Sequence, residues 1–274
     1  MNTKTILITG AGSGLGKGTA LGLAAKGHKI IAGVHKWEQK SRLIEDVKKA
    51  GVENNLEIIK LNILDPMDCQ KAWEYDIDIL VNNAGIGYSG PVSEMPVSLV
   101  RKVMETNVFS NLEFAQPFIK KMVDKGRGKL VFVSSVAGLS TTPYIGAYNA
   151  SKHALESIVQ SLRDELTPMG LSVATINPGP YETGFNDRMY DSYAQWYDKD
   201  VHYTPLEKIE AAAEAMTKNQ FDPKEMIDKM VEIIPQDSHA FRTILPANFV
   251  DKCKNYQETQ YNIQSDTVDP SKKQ

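Results

Sequence analysis

The stretch Thr5-Ile6-Leu7-Ile8-Thr9-Gly10-Ala11-Gly12-Ser13-Gly14-Leu15-Gly16 decides the fold. Its apolar start reads as a strand, its glycines as a turn, and a helical pattern, Leu15–Lys26, begins inside that turn. A strand running through glycines into a helix brings backbone N–H groups and the positive end of the helix dipole to one point, where a pyrophosphate can sit. A side chain at the closest approach would block it, so glycine is needed there. The spacing is not G-x-G-x-x-G, because counting from Gly10 or Gly12 puts the last position on Leu15 or Lys17. It is T-G-x-x-x-G-x-G, with Gly10, Gly14 and Gly16 as the fixed glycines and Ser13 and Leu15 between them. Alone, such a turn also fits a tight strand–helix connection without a ligand.

Outward from the turn, short apolar runs alternate with helical patterns. Strands are expected at Lys4–Thr9, Lys29–Val34, Leu56–Leu61, Asp78–Val81, Lys129–Ser134 and Leu171–Ile176, with a last one at Ala240–Leu245. Helices are expected at Glu38–Ala50, Met67–Glu74, one long element at Leu99–Lys125, Ala147–Thr167 and Pro223–Ile234. Gly27, Gly51 and Gly126-Arg127-Gly128 mark the breaks. Strands separated by helices imply right-handed βαβ units. The fold class is therefore α/β, a doubly wound parallel sheet of about seven strands with helices on both faces. No linker divides it: one domain is expected over 1–254, with a substrate lid at about 180–235 and a polar tail at 255–274.

The 274 residues are 42% hydrophobic, enough for one sizeable core, and the net charge of -3 is spread along the chain, so no nucleic-acid partner is expected. No apolar run approaches the roughly 20 residues of a membrane helix, and no secretory signal precedes the first strand. A cytoplasmic location is expected, with Cys69 and Cys253 as free thiols. His28, His35, His153, His202 and His239 have no metal-ligand spacing, so no metal is expected.

Tyr148 and Lys152 stand four residues apart near the start of a predicted helix, one turn apart on one face. An ammonium beside a phenol favours the phenolate and is expected to lower its pKa, making Tyr148 a usable acid/base. Ser135 falls at the carboxyl end of a predicted strand, where ligands of open α/β sheets bind. A Tyr-x-x-x-Lys pair by itself is common. Its order after the glycine turn and Ser135, with the right elements between, is not.

At these residues the chain resembles the short-chain dehydrogenases/reductases, over about residues 3–185. Thr9-Gly10 through Gly16 is similar to the family's cofactor turn, and Asn82-Asn83-Ala84-Gly85 to its Asn-Asn-Ala-Gly motif. Asn107 stands where the family has its active-site asparagine. Ser135 matches the catalytic serine in preference to Ser134, and Tyr148-Asn149-Ala150-Ser151-Lys152 matches Tyr-x-x-x-Lys. Pro178-Gly179 and Thr183 match the segment that closes over the nicotinamide. The resemblance implies a Rossmann-fold oxidoreductase in which Tyr148 exchanges the proton and Ser135 orients the substrate oxygen. It further implies that Lys152 tunes Tyr148 and binds the nicotinamide ribose, that Asn107 holds a proton-relay water, and that Asn83, Ala84 and Gly85 line the cofactor.

Users of NAD commonly carry an acid at the end of the second strand. Here Val34 occupies that place, followed by His35 and Lys36, either of which suits a 2′-phosphate, so NADP(H) is expected over NAD(H). Glu38 could still serve NAD. Asn62 stands where the family has aspartate near the adenine, and Ile63 would contribute its backbone. The aromatic run Phe185–Tyr203 reads either as ordinary packing or as an apolar lid over a small carbonyl or alcohol substrate. The resemblance also implies a homodimer or homotetramer through the helices near 99–125 and 148–167, whose apolar residues could equally face the sheet. A same-fold epimerase or dehalogenase, or a nicotinamide-sensing protein, is the alternative; the retained Gly14, Tyr148 and Lys152 tell against both.

Overall fold

The computed structural model describes residues 2–267. Seven strands form one parallel sheet: β1 (Thr5–Ile8), β2 (Lys29–Val34), β3 (Leu56–Lys60), β4 (Ile79–Asn82), β5 (Gly128–Val133), β6 (Leu171–Pro178) and β7 (Arg242–Leu245), in the order β3-β2-β1-β4-β5-β6-β7. The order reverses between β1 and β4, so the loops leaving these strands diverge and open a crevice at their carboxyl ends.

The apolar strands split their side chains between two cores. Ile6, Ile8, Val81, Val131 and Ile176 face α1 (Gly14–Ala25) and α2 (Trp37–Ala50). Leu7, Leu80, Leu130, Phe132 and Val173 face the opposite layer. That layer holds α3 (Pro66–Ala72), α5 (Ser110–Lys125) and α6 (Gly146–Leu166). Burial on both sides explains runs without polar alternation. Val103, Phe114, Phe118 and Leu155 are buried within the chain's own cores, so they supply no face for a second copy.

The long helix expected at Leu99–Lys125 is two helices, α4 (Val97–Met104) and α5, joined by a π-helical turn at Glu105–Phe109. Polar side chains there compete with the helical ladder. Thr106 Oγ1 donates to Lys102 O at 3.0 Å. Asn111 Nδ2 donates to Thr106 O at 2.9 Å and to Ala84 O at 3.1 Å. Such turns gather at functional sites.

Two boundaries of the expected lid and tail move. Beyond α7 (Phe185–Tyr190) and α8 (Leu206–Thr217) comes α9 (Lys224–Ile233), which the expected lid of about 180–235 included whole. It is scaffold: Met226, Met230 and Ile233 lie in the core with α1. Ile227 and Val231 occupy the space over Gly18 and Gly22 on α1. The buried Lys129 fixes the far end of α9, its Nζ donating to Ile233 O (3.2 Å), Ile234 O (3.0 Å) and Gln236 O (2.8 Å). Burial pushes that ammonium down to about 8. The polar tail expected from Asn255 begins as helix, since α10 (Phe249–Gln260) crosses the boundary, and Gln257 Nε2 reaches Leu139 O at 3.2 Å. The last seven residues of that tail lie outside the described residues. Among the described residues no helix is long and apolar enough to cross a membrane.

Candidate active site

The turns after β1 and β4 are braced against each other at the point where strand order reverses. Thr9 Oγ1 accepts from the N–H groups of Asn83 and Ala84, both at 3.0 Å. Asn83 Nδ2 returns to Thr9 O at 2.9 Å and Gly10 O at 3.2 Å. Gly10 and Gly14 take φ values of +65° and +55°, a region that favours glycine. A Cβ on Gly16 would stand 2.7 Å from Gly10 O, so backbone fills the space a side chain would need. Ser13 caps α1 without a side-chain hydrogen bond, leaving N–H groups of the first turn for an outside acceptor. Thr183 lies over Gly14, its Cβ 3.1 Å from where a Gly14 side chain would begin. This cradle fits a pyrophosphate: donors at a helix start, floored by glycine and roofed by the segment after β6. Asn83 serves as its brace. Asn82 is buried, with neither side-chain polar atom bonded among the described residues.

Beyond the cradle, β2 ends at Val34, and His35 and Lys36 follow with exposed side chains. Burial lowers the His35 pKa, aided by the charges of Lys36 and Lys60, while a hydrogen bond to Gln39 works against them. The lowered pKa favours neutral His35, so Lys36 is the cation that this strand end presents. Lys60 pairs with Asp68 at 2.6 Å, and Asp68 also takes Asn62 N at 2.9 Å. Asn62 Oδ1 receives Leu64 N at 3.2 Å. Ile63 is buried, with its carbonyl 3.6 Å from the Cys69 thiol.

The second group gathers at the ends of β4, β5 and β6. Ser135 Oγ accepts from Ala137 N at 3.1 Å and lies 3.4 Å from Pro178 O. Tyr148 and Lys152, on α6, are both buried, and Lys152 Nζ stands 5.7 Å from the Tyr148 ring centroid while donating to Val133 O at 2.9 Å. Ser134 Oγ has no hydrogen-bond partner among the described residues. Gly85 stands between Asn107 and Lys152: a Cβ there would lie 3.2 Å from Asn107 Oδ1 and 3.7 Å from Lys152 Nζ. Asn107's side chain is fully committed, to Ile86 N and Ile86 O at 2.8 Å each and to Ser151 Oγ at 2.9 Å. Gly179 N, by contrast, is tied to Leu245 O at 2.8 Å, so Pro178-Gly179 is anchored to β7.

The expected lowering of the Tyr148 pKa is not what the protein alone produces. Burial pushes Tyr148 up to about 12, with the Ser135 hydroxyl working the other way. Burial likewise pushes Lys152 down to about 8, with Glu156 opposing. Desolvation disfavours both charges, and the ammonium spends its hydrogen bond on Val133.

The aromatic run divides between the two readings given for it. Phe185 stacks obliquely on Tyr148 with ring centroids 5.6 Å apart, and Met189 and Tyr190 join the same buried cluster. Tyr193, Trp196, Tyr197 and His202 pack on one another instead. Trp196 Nε1 donates to Ser89 O at 3.1 Å, and Glu94 takes Tyr203 N at 2.6 Å, so the lid is tied to the loop after β4.

Sequence reasoning missed Thr9 as a brace, Gln39 beside Gly12, and a buried network behind Ser135. There, Asn177 Nδ2 donates to Ser135 O at 3.1 Å and to Glu156 Oε1 at 2.6 Å, and Arg242 Nη2 donates to Glu156 Oε2 at 2.7 Å. Glu156 stands one helical turn beyond Lys152, the spacing already used for Tyr148, and that was the available signal.

Comparison with known proteins agrees with this geometry. A family model for short chain dehydrogenases matches residues 4–194. An uncharacterized oxidoreductase of Bacillus subtilis (strain 168), YusZ, is 30% identical over 239 residues, spanning 85% of each chain. The 3-ketodihydrosphingosine reductase of Bacteroides thetaiotaomicron is 30% identical over 249 residues, 89% of this chain and 88% of that one. Among solved structures, a short chain dehydrogenase/reductase from Burkholderia phymatum in complex with NAD superposes with a TM-score of 0.80 at 23% identity, covering 97% of both chains; that likeness concerns the fold. The chain belongs to the short-chain dehydrogenase/reductase family. It is an oxidoreductase of the dehydrogenase/reductase class that acts on CH–OH and C=O groups.

Proposed function

We propose that this enzyme interconverts a ketone or aldehyde and its alcohol on a largely apolar substrate, with reduction as the working direction and NADP(H) preferred over NAD(H). The observation that carries this reading is the convergence of Ser135, Tyr148 and Lys152 beside a glycine cradle at the carboxyl ends of β1, β4 and β5.

Gly10, Ser13, Gly14, Leu15 and Gly16 would hold the pyrophosphate, with Thr183 above it. His35 and Lys36 would meet the 2′-phosphate, and Asn62 and Ile63 the adenine. Asn83, Ala84, Gly85, Pro178 and Gly179 would line the nicotinamide side, and Lys152 would bond its ribose. When bound, the cofactor supplies or accepts the hydride, chemistry that no side chain here provides.

The protein's part is position and proton. Ser135 holds the substrate oxygen next to Tyr148. In reduction the neutral Tyr148 phenol gives its proton to that oxygen; in oxidation it takes one from the alcohol. The Lys152 ammonium lessens the cost of the phenolate left after donation. Asn107's side chain fixes the Ile86 backbone, and its own main-chain carbonyl, which Asn111 Nδ2 also reaches at 3.3 Å, would be the atom to hold a relay water. The apolar wall is Phe185, Met189 and Ala137. The sphingoid ketone in the name of the Bacteroides relative supports such a substrate. The same reading takes residues 2–260, to the end of α10, as one catalytic unit with its lid at about 181–220, a homo-oligomer located in the cytoplasm.

Two measurements test it. Nicotinamide fluorescence titration should show NADPH binding at least about tenfold tighter than NADH, roughly 1.4 kcal/mol; tighter NADH binding would refute the reading of Val34, His35 and Lys36. Tyr148→Phe should keep NADPH binding and lose turnover in a carbonyl-reduction screen. Normal turnover in that variant would sink the acid/base assignment.

A further inference from the structure

Tyr190 lies beside the proposed acid/base and has no assigned work. It is 1% exposed, and its hydroxyl has no hydrogen-bond partner among the described residues. Its ring packs in the cluster of Ala137, Ile145, Tyr148 and Met189. A buried hydroxyl without a partner is a net cost to the folded state, and phenylalanine would fill the same volume without it.

The backbone around this side chain is unusually well held. Ser89 Oγ donates to Tyr190 O at 2.7 Å, Ser192 Oγ donates to Met189 O at 2.6 Å, and Ser89 N donates to Ser192 Oγ at 2.8 Å. These bonds tie the end of α7 to the loop after β4, so the ring has little freedom to find a partner by moving. Burial raises the hydroxyl's pKa, and the charge of Tyr148 raises it further. Tyr190 is therefore a neutral donor at any working pH, within electrostatic reach of the Tyr148 oxygen. A donor held in the same apolar cluster as Tyr148 is how a pocket fixes the orientation of a mostly apolar ligand.

We propose that the Tyr190 hydroxyl is a second substrate anchor, and that the substrate is a ketone on an apolar frame carrying a further hydrogen-bond-accepting oxygen. The carbonyl goes to Ser135 and Tyr148, and the second oxygen accepts from Tyr190. Such a site favours the substrate that has the oxygen over the isostere lacking it, because the unmatched isostere leaves the buried hydroxyl unpaired. The inference rests on the carbonyl-reductase reading above.

The test is Tyr190→Phe, read in two ways. In thermal unfolding of the ligand-free enzyme, the variant should melt at the same temperature as wild type or higher. A fall of several degrees would mean that the hydroxyl has a structural partner, and would overturn the proposal. In turnover with NADPH, the probes are decalones carrying one added keto or hydroxyl group at successive ring positions, each against the plain decalone. Wild type should prefer a substituted member, and the variant should lose at least about tenfold of that preference in kcat/KM. An unchanged preference, with both members turned over, overturns the Tyr190 anchor and leaves the reductase reading standing. No turnover of any member by wild type removes the reductase reading, and the anchor with it.

Discussion

Glu156→Ala probes the network behind the site. Glu156 is a carboxylate on α6 with a side-chain exposure of 4%, paired with Arg242 at 31%. Its two oxygens are taken separately, one by Asn177 and one by Arg242. Removing one partner of a buried pair typically costs about 3–5 kcal/mol, because the other charge is left uncompensated. Arg242 is close to a third exposed, so water recovers part of that loss and places the pair near the lower limit. Asn177, fully buried, loses one acceptor but keeps Ser135 O. The total is about 3 kcal/mol, or a melting temperature lower by roughly 6–12 °C for a chain of this size. Urea unfolding at neutral pH measures it. Glu156→Gln retains an acceptor for Asn177 and should lose about half as much. The same variant carries a second readout. Glu156 opposes the burial that lowers Lys152, so without its charge the Lys152 pKa should drop further from about 8. The alkaline limb of the pH–rate profile should then move to lower pH. A Glu156→Ala protein within about 0.5 kcal/mol of wild type would refute the argument, since it would show that the pair contributes no net stability.

Gly16→Ala should abolish NADPH binding and destabilise the fold, because its Cβ meets the Gly10 carbonyl and the Asn83 amide, neither of which can yield without opening the brace; a variant that still binds NADPH within a factor of three contradicts this. Lys36→Asp should shift cofactor preference toward NADH by about tenfold by placing a carboxylate where ribose hydroxyls would sit, a change visible in paired fluorescence titrations. Stability should rise with pH from about 8, since Lys129 and Lys152, both pushed down to about 8 by burial, release protons that the unfolded chain keeps until about 10.4. It should fall beyond about pH 10, where the unfolded chain releases protons that folded Tyr148 and Tyr75 hold to about 12. Urea midpoints measured across this range check the sign, and a steady decline from pH 7 would contradict the lysine contribution.

Most of the scaffold was legible because it is local. The glycine turn, the apolar strands and the Tyr148–Lys152 spacing each depend on neighbours within a few residues, and all seven strands fall within two residues of their expected bounds at either end. The π-helical turn at Glu105–Phe109 was not legible, since its cause includes Asn107 reaching the Ile86 backbone across the loop after β4. The direction of the Tyr148 shift was misjudged for a related reason. Spacing places an ammonium near a phenol, but the depth of burial depends on elements distant in sequence, and burial outweighs the Ser135 hydroxyl, which works the other way.

The placement of α9 shows what kind of signal carries long-range information. Gly14, Gly18 and Gly22 recur at every fourth residue along α1, which marks one bare face of that helix. A bare face on a buried helix requires another element close against it, and its side chains must be branched or long enough to fill the notch. Ile227 and Val231 also recur four apart, and they enter the spaces over Gly18 and Gly22. The two periodicities match, so the pairing could have been inferred as a packing seam even though the segments lie about 200 residues apart in sequence. With α9 held to α1 on one side and its last carbonyls held by Lys129 on the other, the lid shrinks to the stretch between Tyr181 and Phe221, which pair as an isolated bridge at its base. Phe185, Met189 and Tyr190 all fall within that stretch. On the proposed reading, substrate choice would reside in this short excursion, where side chains can change without disturbing the sheet and α6 that position Ser135, Tyr148 and Lys152.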